Sequence, residues 1–102
     1  MTDIRMPETC ETMADVRAGV DRTDRELMEL LDRRFGYMRA AARIKPSRDT
    51  VRDEGRKAQV VSNAKADAAA RNLPADELAA LWETLVETSI AYELAEWDAT
   101  RG

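Results

Sequence analysis

The sequence predicts an all-α protein with three helices, of which the first is unusually long. Charged residues make up 35% of the 102 residues and aromatic residues 5%, and there are only four glycines and three prolines. A β-sheet would require more aromatic and β-branched residues, so this composition favours helices. A chain of this length forms one domain with a modest hydrophobic core. We therefore interpret residues 1–102 as a single helical domain.

The first predicted helix extends from about residue 12 to residue 45 and follows a short irregular segment. Thr9 or Thr12 is suited to cap its start. Pro46 ends it, because proline disfavours the helical conformation of the residue before it. About 34 residues span roughly 50 Å, which exceeds the ~30 Å diameter of a small domain. One copy of the chain cannot cover such a helix, so we expect an intertwined homodimer.

Cations interrupt the apolar stripe of this first helix. At ~3.6 residues per turn, the apolar residues that share one face are Met13, Val16, Val20, Leu27, Leu31, Met38 and Ala41. Arg34 and Lys45 lie in the middle of the same face, and Arg17 lies on its flank. Surface helices keep their charges opposite the apolar stripe. These cations are therefore paired, extended towards solvent, or directed at an anionic ligand.

Two shorter helices are predicted after the first, at about residues 51–71 and 75–99. Between them, Asn72 is suited to a left-handed C-cap and Pro74 to the start of the third helix. The residues predicted to be buried are Val60, Val61, Ala64 and Ala68 in the second helix and Leu78, Leu81, Trp82, Leu85, Ser89 and Tyr92 in the third.

The composition argues against several kinds of site. The chain has no histidine, which is the commonest metal ligand and general base, and Cys10 is its single cysteine. The carboxylates show no zinc-ligand spacing, so we predict neither a metal nor a cofactor. The net charge of −4 argues against a nucleic-acid partner. With no signal peptide and no apolar run near ~18 residues, we expect a cytoplasmic protein without a membrane partner.

Several charged residues lie near predicted apolar faces at helical spacing. They are Arg17, Arg34 and Lys45 in the first helix, Arg56 one turn before Val60, and Glu93 one turn after Ser89. Each alone can be a side chain extended towards solvent or half of an ion pair. For Arg34 and Lys45 together this interpretation is weaker, because their neighbours on that face carry no acid. A buried site for an anion is the alternative, since arginine binds carboxylates bidentately.

Short motifs follow one another in order along nearly the whole chain. They are Asp15-Val16-Arg17, Val20-Asp21-x-x-Asp24, Leu30-Leu31-x-Arg33-Arg34, Ala41-Ala42-Arg43-Ile44-Lys45, Val51-Arg52-Asp53-x-x-Arg56 and Ser89-x-x-x-Glu93. This ordered set resembles the all-α (type II) chorismate mutases. The two ends of the chain, Pro7-Glu8-x-Cys10 and Trp97-x-x-Thr100-Arg101-Gly102, also resemble the isochorismate pyruvate lyases, which share that fold.

The resemblance implies an intertwined homodimer with two equivalent sites for a dicarboxylate, chorismate. By this analogy Arg17 reaches across from the second subunit to one substrate carboxylate, Arg34 binds the other carboxylate region, and Arg56 adds positive charge. Asp53 and Ser89 would make secondary polar contacts. Arg52 is a weaker candidate because it can simply face solvent.

The resemblance also assigns the catalytic roles. Lys45 would donate to the ether oxygen between the ring and the enolpyruvyl group, and Glu93 would approach the same oxygen. The rearrangement of chorismate to prephenate is pericyclic and needs no nucleophile or metal. It is accelerated by holding a chair-like conformer and by stabilising the negative charge that grows on this oxygen.

Two positions depart from the pattern of these mutases. Glu93 stands where many relatives have glutamine, and an ionised carboxylate cannot donate a hydrogen bond. We therefore expect Glu93 to act protonated and the activity to fall as the pH rises. Lys57 stands where many mutases have a glutamate that binds the ring hydroxyl, so the choice between chorismate and isochorismate stays open.

Three functions are compatible with these patterns. The charged turn from Val51 to Arg56 favours a chorismate mutase, serving aromatic amino-acid biosynthesis from the shikimate pathway or a secondary pathway. An isochorismate pyruvate lyase that releases salicylate and pyruvate is the second. A non-catalytic helical dimerisation module is the third, and in it Arg34 and Lys45 would be structural ion-pair partners.

Overall fold

The computed structural model describes residues 4–102, which form three α-helices and two short 3₁₀ helices without a β-strand. Helix α1 is Met13–Ile44, α2 is Glu54–Ala70 and α3 is Ala75–Thr100. The 3₁₀ helices, Pro7–Thr9 and Arg48–Thr50, precede α1 and α2. The predicted all-α class with a long first helix is confirmed. None of the helices in residues 4–102 combines the length and hydropathy that a membrane span requires.

The chain divides into two compact units. The first ends at Arg34 and the second is Phe35–Gly102, so the boundary falls within α1. The interpretation of the chain as one domain remains a prediction. Most of the residues discussed below for a catalytic role belong to the second unit.

In the first unit, Thr12 and Asp15 cap the start of α1 by accepting hydrogen bonds from each other's backbone N–H groups. The Asp15 backbone N–H donates to Thr12 Oγ1 at 3.1 Å, and Asp15 Oδ2 accepts from the backbone N–H groups of Glu11 at 3.0 Å and Thr12 at 3.2 Å. This arrangement satisfies N–H groups that have no partner within the helix. These backbone hydrogen bonds, with that from Glu11 foremost, lower the pKa of Asp15. Of the two predicted caps, Thr12 is confirmed.

Large apolar side chains along the first part of α1 are exposed. They are Met13, Val16, Val20, Leu27, Met28 and Leu30. The exposed fraction ranges from 38% at Val16 to 65% at Met28. Residues 4–102 of one chain therefore leave much of the predicted apolar stripe in contact with solvent.

The core of the second unit lies where α2 packs against α3. Its buried members are Val51, Val86 and Ile90, and the partly buried residues packed against them are Val60, Val61, Leu94 and Trp97. The predicted inner side of α2 is confirmed, with Ala68 only 4% exposed. The predicted burial of Leu81 is wrong, because this side chain is 58% exposed. Helix α3 has apolar residues on all sides, so periodicity alone cannot identify the side that faces α2.

The connection between α2 and α3 has the geometry that its sequence predicts. Asn72 has φ 59°, a left-handed conformation. The Asn72 N–H donates to Ala69 O at 3.1 Å and the Leu73 N–H to Ala68 O at 2.9 Å. This is a Schellman motif, which provides donors for the last carbonyls of α2. Pro74 then forms the N-cap of α3.

Helix α2 begins a few residues later than predicted. Residues 48–50 form a 3₁₀ helix, and Asp53 is the N-cap of α2. The Arg56 N–H donates to Asp53 Oδ1 at 3.0 Å, so the aspartate fixes where the helix starts. The expected start at residue 51 is therefore corrected to Glu54.

Candidate active site

An ion pair joins the end of α1 to the middle of α3. Lys45 Nζ lies 2.7 Å from Glu93 Oε2 and donates a hydrogen bond to Val51 O at 3.2 Å. The Glu93 side chain is 6% exposed and that of Lys45 is 29% exposed. Within residues 4–102, the contact of Glu93 Oε2 with Lys45 is an ion pair rather than a well-aligned hydrogen bond. Lys45 therefore places a positive charge against a buried carboxyl group, which would be costly to leave without a partner.

Two side chains near the end of α3 bind the backbone at Lys45. Trp97 Nε1 donates to Lys45 O at 3.1 Å, and Arg101 Nη2 donates to the same oxygen at 2.8 Å. Arg101 Nη1 donates to Ala42 O at 3.0 Å. The last carbonyls of a helix have no partner within it, so these donors complete the end of α1. Neither Trp97 nor Arg101 was predicted as a site residue. The motif at residues 97–102 was the one feature of the sequence that singled them out.

Ser89 lies one helical turn before Glu93, and both side chains are buried in α3. The Ser89 hydroxyl donates to Leu85 O of its own helix at 2.7 Å. Serine often bonds a carbonyl one turn earlier in this way. Its expected contact with a substrate remains a prediction.

Asp53 and Arg56 lie in one turn at the start of α2. Asp53 accepts from the Arg56 backbone N–H, which is a structural role that explains the residue without a ligand. The Arg56 side chain is exposed and Nη1 donates to Gln59 Oε1 at 2.7 Å. The substrate contacts expected of both residues remain predictions.

A cluster of ion pairs links the start of α2 to α3. Arg52 holds Glu87 bidentately, with Nη1–Oε2 and Nη2–Oε1 distances of 3.0 and 2.8 Å. Lys57 Nζ lies 2.8 Å from Glu87 Oε2 and 3.0 Å from Glu83 Oε2. Hydrogen bonds from Arg52 and then Lys57 lower the pKa of Glu87 to about 2. Arg52, the weaker site candidate, is thus tied to α3 although it is partly exposed.

Arg17 and Arg34 lie in the first unit. Arg17 is exposed and makes no ion pair with another residue of the described part of the chain, whereas Arg34 is partly buried. The structure brings Lys45 and Glu93 into direct contact within the second unit. The carboxylate-binding roles of the two arginines remain predictions.

Lys45 can stabilise negative charge that develops on a bound molecule. An ammonium group has three N–H donors, and Val51 O accepts one of them. Lys45 can therefore donate to a further acceptor while it stays close to Glu93. A cation held in a partly desolvated position interacts with developing charge more strongly than it would in water.

Comparison with known proteins identifies the family. Residues 16–94 match the family chorismate mutase type II. Over 99 residues the chain is 30% identical to the isochorismate pyruvate lyase of Pseudomonas aeruginosa, an alignment that covers 97% of this chain and 98% of that protein. These matches support an enzyme of the chorismate mutase or isochorismate pyruvate lyase type. The resemblance inferred from the ordered motifs is confirmed, and the chain belongs to the chorismate mutase type II family.

Proposed function

We propose that the protein catalyses the rearrangement of chorismate to prephenate at a site that contains Lys45 and Glu93. The observation that carries this proposal is the Lys45 ammonium, which lies 2.7 Å from a carboxylate that is almost fully buried. Chorismate is a dianion whose ether C–O bond breaks while a C–C bond forms in one concerted step. Lys45 donates to the ether oxygen, where negative charge accumulates in the transition state.

The two substrate carboxylates require separate anchors. Arg34 and Arg56 are the candidates from the subunit that supplies Lys45, and Arg17 comes from the other subunit. Guanidinium groups suit this task because they bind carboxylates bidentately. Holding both ends of the substrate selects the chair-like conformer in which the reacting carbons are close.

In this proposal the active form is a homodimer. The support is the row of exposed apolar residues on α1, from Met13 to Leu30. Large apolar patches that a single chain leaves exposed often mark protein–protein interfaces. A second α1 helix packed against it would bury these side chains and bring Arg17 to the neighbouring site.

The proposal is tested by an assay of the purified protein with chorismate and with isochorismate. We expect prephenate from chorismate, and we expect Lys45→Ala to lower kcat by ~10²–10³-fold because one donor to the developing charge is lost. Lys65→Ala is the matched control, since Lys65 is an exposed lysine that pairs with Asp76 on the surface. Prephenate formation at the wild-type rate by Lys45→Ala would refute the proposed role of Lys45.

The lyase reaction is the second candidate, and two observations favour it. Lys57 contacts Glu83 and Glu87 at the position where many mutases carry a glutamate for the ring hydroxyl. A relative that aligns with nearly the whole chain is an isochorismate pyruvate lyase. The same assay separates the two reactions, because the lyase would release salicylate and pyruvate from isochorismate.

A further inference from the structure

We infer that Arg101 and Trp97 are positioning residues that fix Lys45 in the site. The inference rests on the proposed function, in which the Lys45 ammonium is the reacting donor. Contacts between the end of α3 and the end of α1 hold the backbone of Lys45.

The backbone carbonyl of Lys45 accepts hydrogen bonds from two side chains. Arg101 Nη2 donates to Lys45 O at 2.8 Å and Trp97 Nε1 donates to it at 3.1 Å. Arg101 Nη1 also donates to Ala42 O at 3.0 Å, so one guanidinium bridges two carbonyls of the last turn. Ala42 is 1% exposed, which makes this a buried attachment point.

The guanidinium that forms this bridge is itself held in place. Arg101 Cζ lies 4.3 Å from the centre of the Trp97 ring, a stacked arrangement with a cation–π attraction. The positive charge also lies at the negative end of the α1 dipole, where a cation is favourable. Lysine could not reproduce this geometry, because it has no planar fork to reach both carbonyls.

Lys45 is consequently attached to α3 through both of its ends. Its carbonyl oxygen is bound by Arg101 and Trp97, and its ammonium lies beside Glu93. The residue after it is Pro46, where the chain leaves the helix. Loss of the carbonyl contacts would let the last turn of α1 unwind and would move the ammonium. A displacement of about 1 Å at a reacting group can lower a rate by up to about a hundredfold.

The test compares Arg101→Ala, Arg101→Lys and Trp97→Phe with the control Arg71→Ala, measuring both amide hydrogen exchange and steady-state kinetics on the full chain. Arg71 is an exposed arginine at the end of α2 that pairs with Asp67. We expect Arg101→Ala to speed exchange in residues 43–51 and to lower kcat about tenfold with little change in KM. Arg101→Lys should be intermediate, and Trp97→Phe should have a smaller effect because Arg101 still binds the same oxygen.

Three other results would overturn the inference. Unchanged exchange in residues 43–51 of Arg101→Ala would show that Arg101 does not hold the end of α1. Faster exchange in Arg101→Ala with a wild-type kcat would show that the Arg101 contacts do not position Lys45 for catalysis. An equal decrease of kcat in Arg71→Ala would show that the effect is nonspecific. A wild-type chain inert towards both substrates would instead refute the proposed function, and the exchange data would still decide whether Arg101 positions Lys45.

Discussion

Glu93 carries opposite consequences for the proposed reaction in its two protonation states. As a carboxylate 2.7 Å from Lys45 it offsets the positive charge that should stabilise the ether oxygen. As a neutral acid it could donate a hydrogen bond to that oxygen in parallel with Lys45. The proposed mechanism therefore requires the neutral form during turnover.

Glu93→Gln tests this requirement, because an amide of the same size donates at every pH. We expect the wild-type kcat to fall as the pH rises and the variant to have a flatter profile, with at least wild-type activity at neutral pH. The measurement is kcat against pH for both proteins. A flat wild-type profile that the substitution leaves unchanged would contradict the expected role.

At the scale of single residues, the sequence indicates candidate side chains but not the contacts that they make. Lys45 and Glu93 were identified from motifs, but their contact joins distant parts of the chain that periodicity does not relate. Arg101 and Trp97 were missed because they bind backbone carbonyls, which every residue has, so no pairing pattern marks the acceptor. Asp53 was interpreted as a substrate contact, although its position before α2 also suits the N-cap that is observed.

At the scale of helices, Glu87 connects the start of α2 to α3, and its ion pairs make the packing of these two helices sensitive to acid. Hydrogen bonds from Arg52 and then Lys57 lower its pKa from 4.5 to about 2. A carboxylate whose pKa is lowered on folding stabilises the fold above its unfolded pKa, and this contribution disappears as the pH falls through 4.5 towards 2. Because the Glu87 side chain is 44% exposed, solvent screens the pairs and keeps the effect modest.

We therefore expect Glu87→Gln to lower the melting temperature at neutral pH and to reduce its further decrease on acidification. Thermal unfolding followed by circular dichroism at about pH 7 and about pH 3 measures both effects. Glu29→Gln is the control, since Glu29 is an exposed glutamate of α1 for which the described residues provide no ion pair. Equal decreases of the melting temperature on acidification in wild type and Glu87→Gln would exclude the proposed contribution.

The helix boundaries could be predicted more closely than the buried faces. Pro46, Asn72 and Pro74 act through local backbone preferences, so the ends of α1 and α2 and the start of α3 follow from the sequence. The buried side of α3 depends on which helix packs against it. Leu81 and Ile90 are both large and apolar, yet Leu81 is exposed and Ile90 is buried. Only the packing of α2 against α3 decides between them.

At the scale of the whole molecule, the 32 residues of α1 predict a helix of about 48 Å. Its length and the exposed apolar residues from Met13 to Leu30 favour an interface with a second copy. In the proposed dimer, Arg17 and Lys45 of one site come from different subunits, whereas Arg34 and Lys45 come from the same subunit. This difference can be tested without knowledge of how the subunits are arranged.

We expect a mixture of Arg17→Ala and Lys45→Ala proteins, unfolded and refolded together, to regain activity that neither protein has alone. A hybrid dimer then contains one site with both substitutions and one site with neither. If subunits pair at random, about half of the dimers are hybrids and the mixture reaches about a quarter of wild-type activity. The measurement is the turnover of the mixture compared with that of each protein refolded by itself.

The matched control is a mixture of Arg34→Ala and Lys45→Ala. In the proposed dimer one subunit supplies both residues of a site. Each site of a hybrid dimer therefore keeps one substitution, and the mixture should stay inactive. Recovery of activity in both mixtures would indicate that residues besides Arg17 also reach the site from the other subunit. No recovery in either, with hybrid dimers demonstrated by mass spectrometry, would place Arg17 and Lys45 of one site in the same chain and refute the shared site. The two mixtures differ only in which arginine is replaced, so the comparison isolates the subunit from which Arg17 comes.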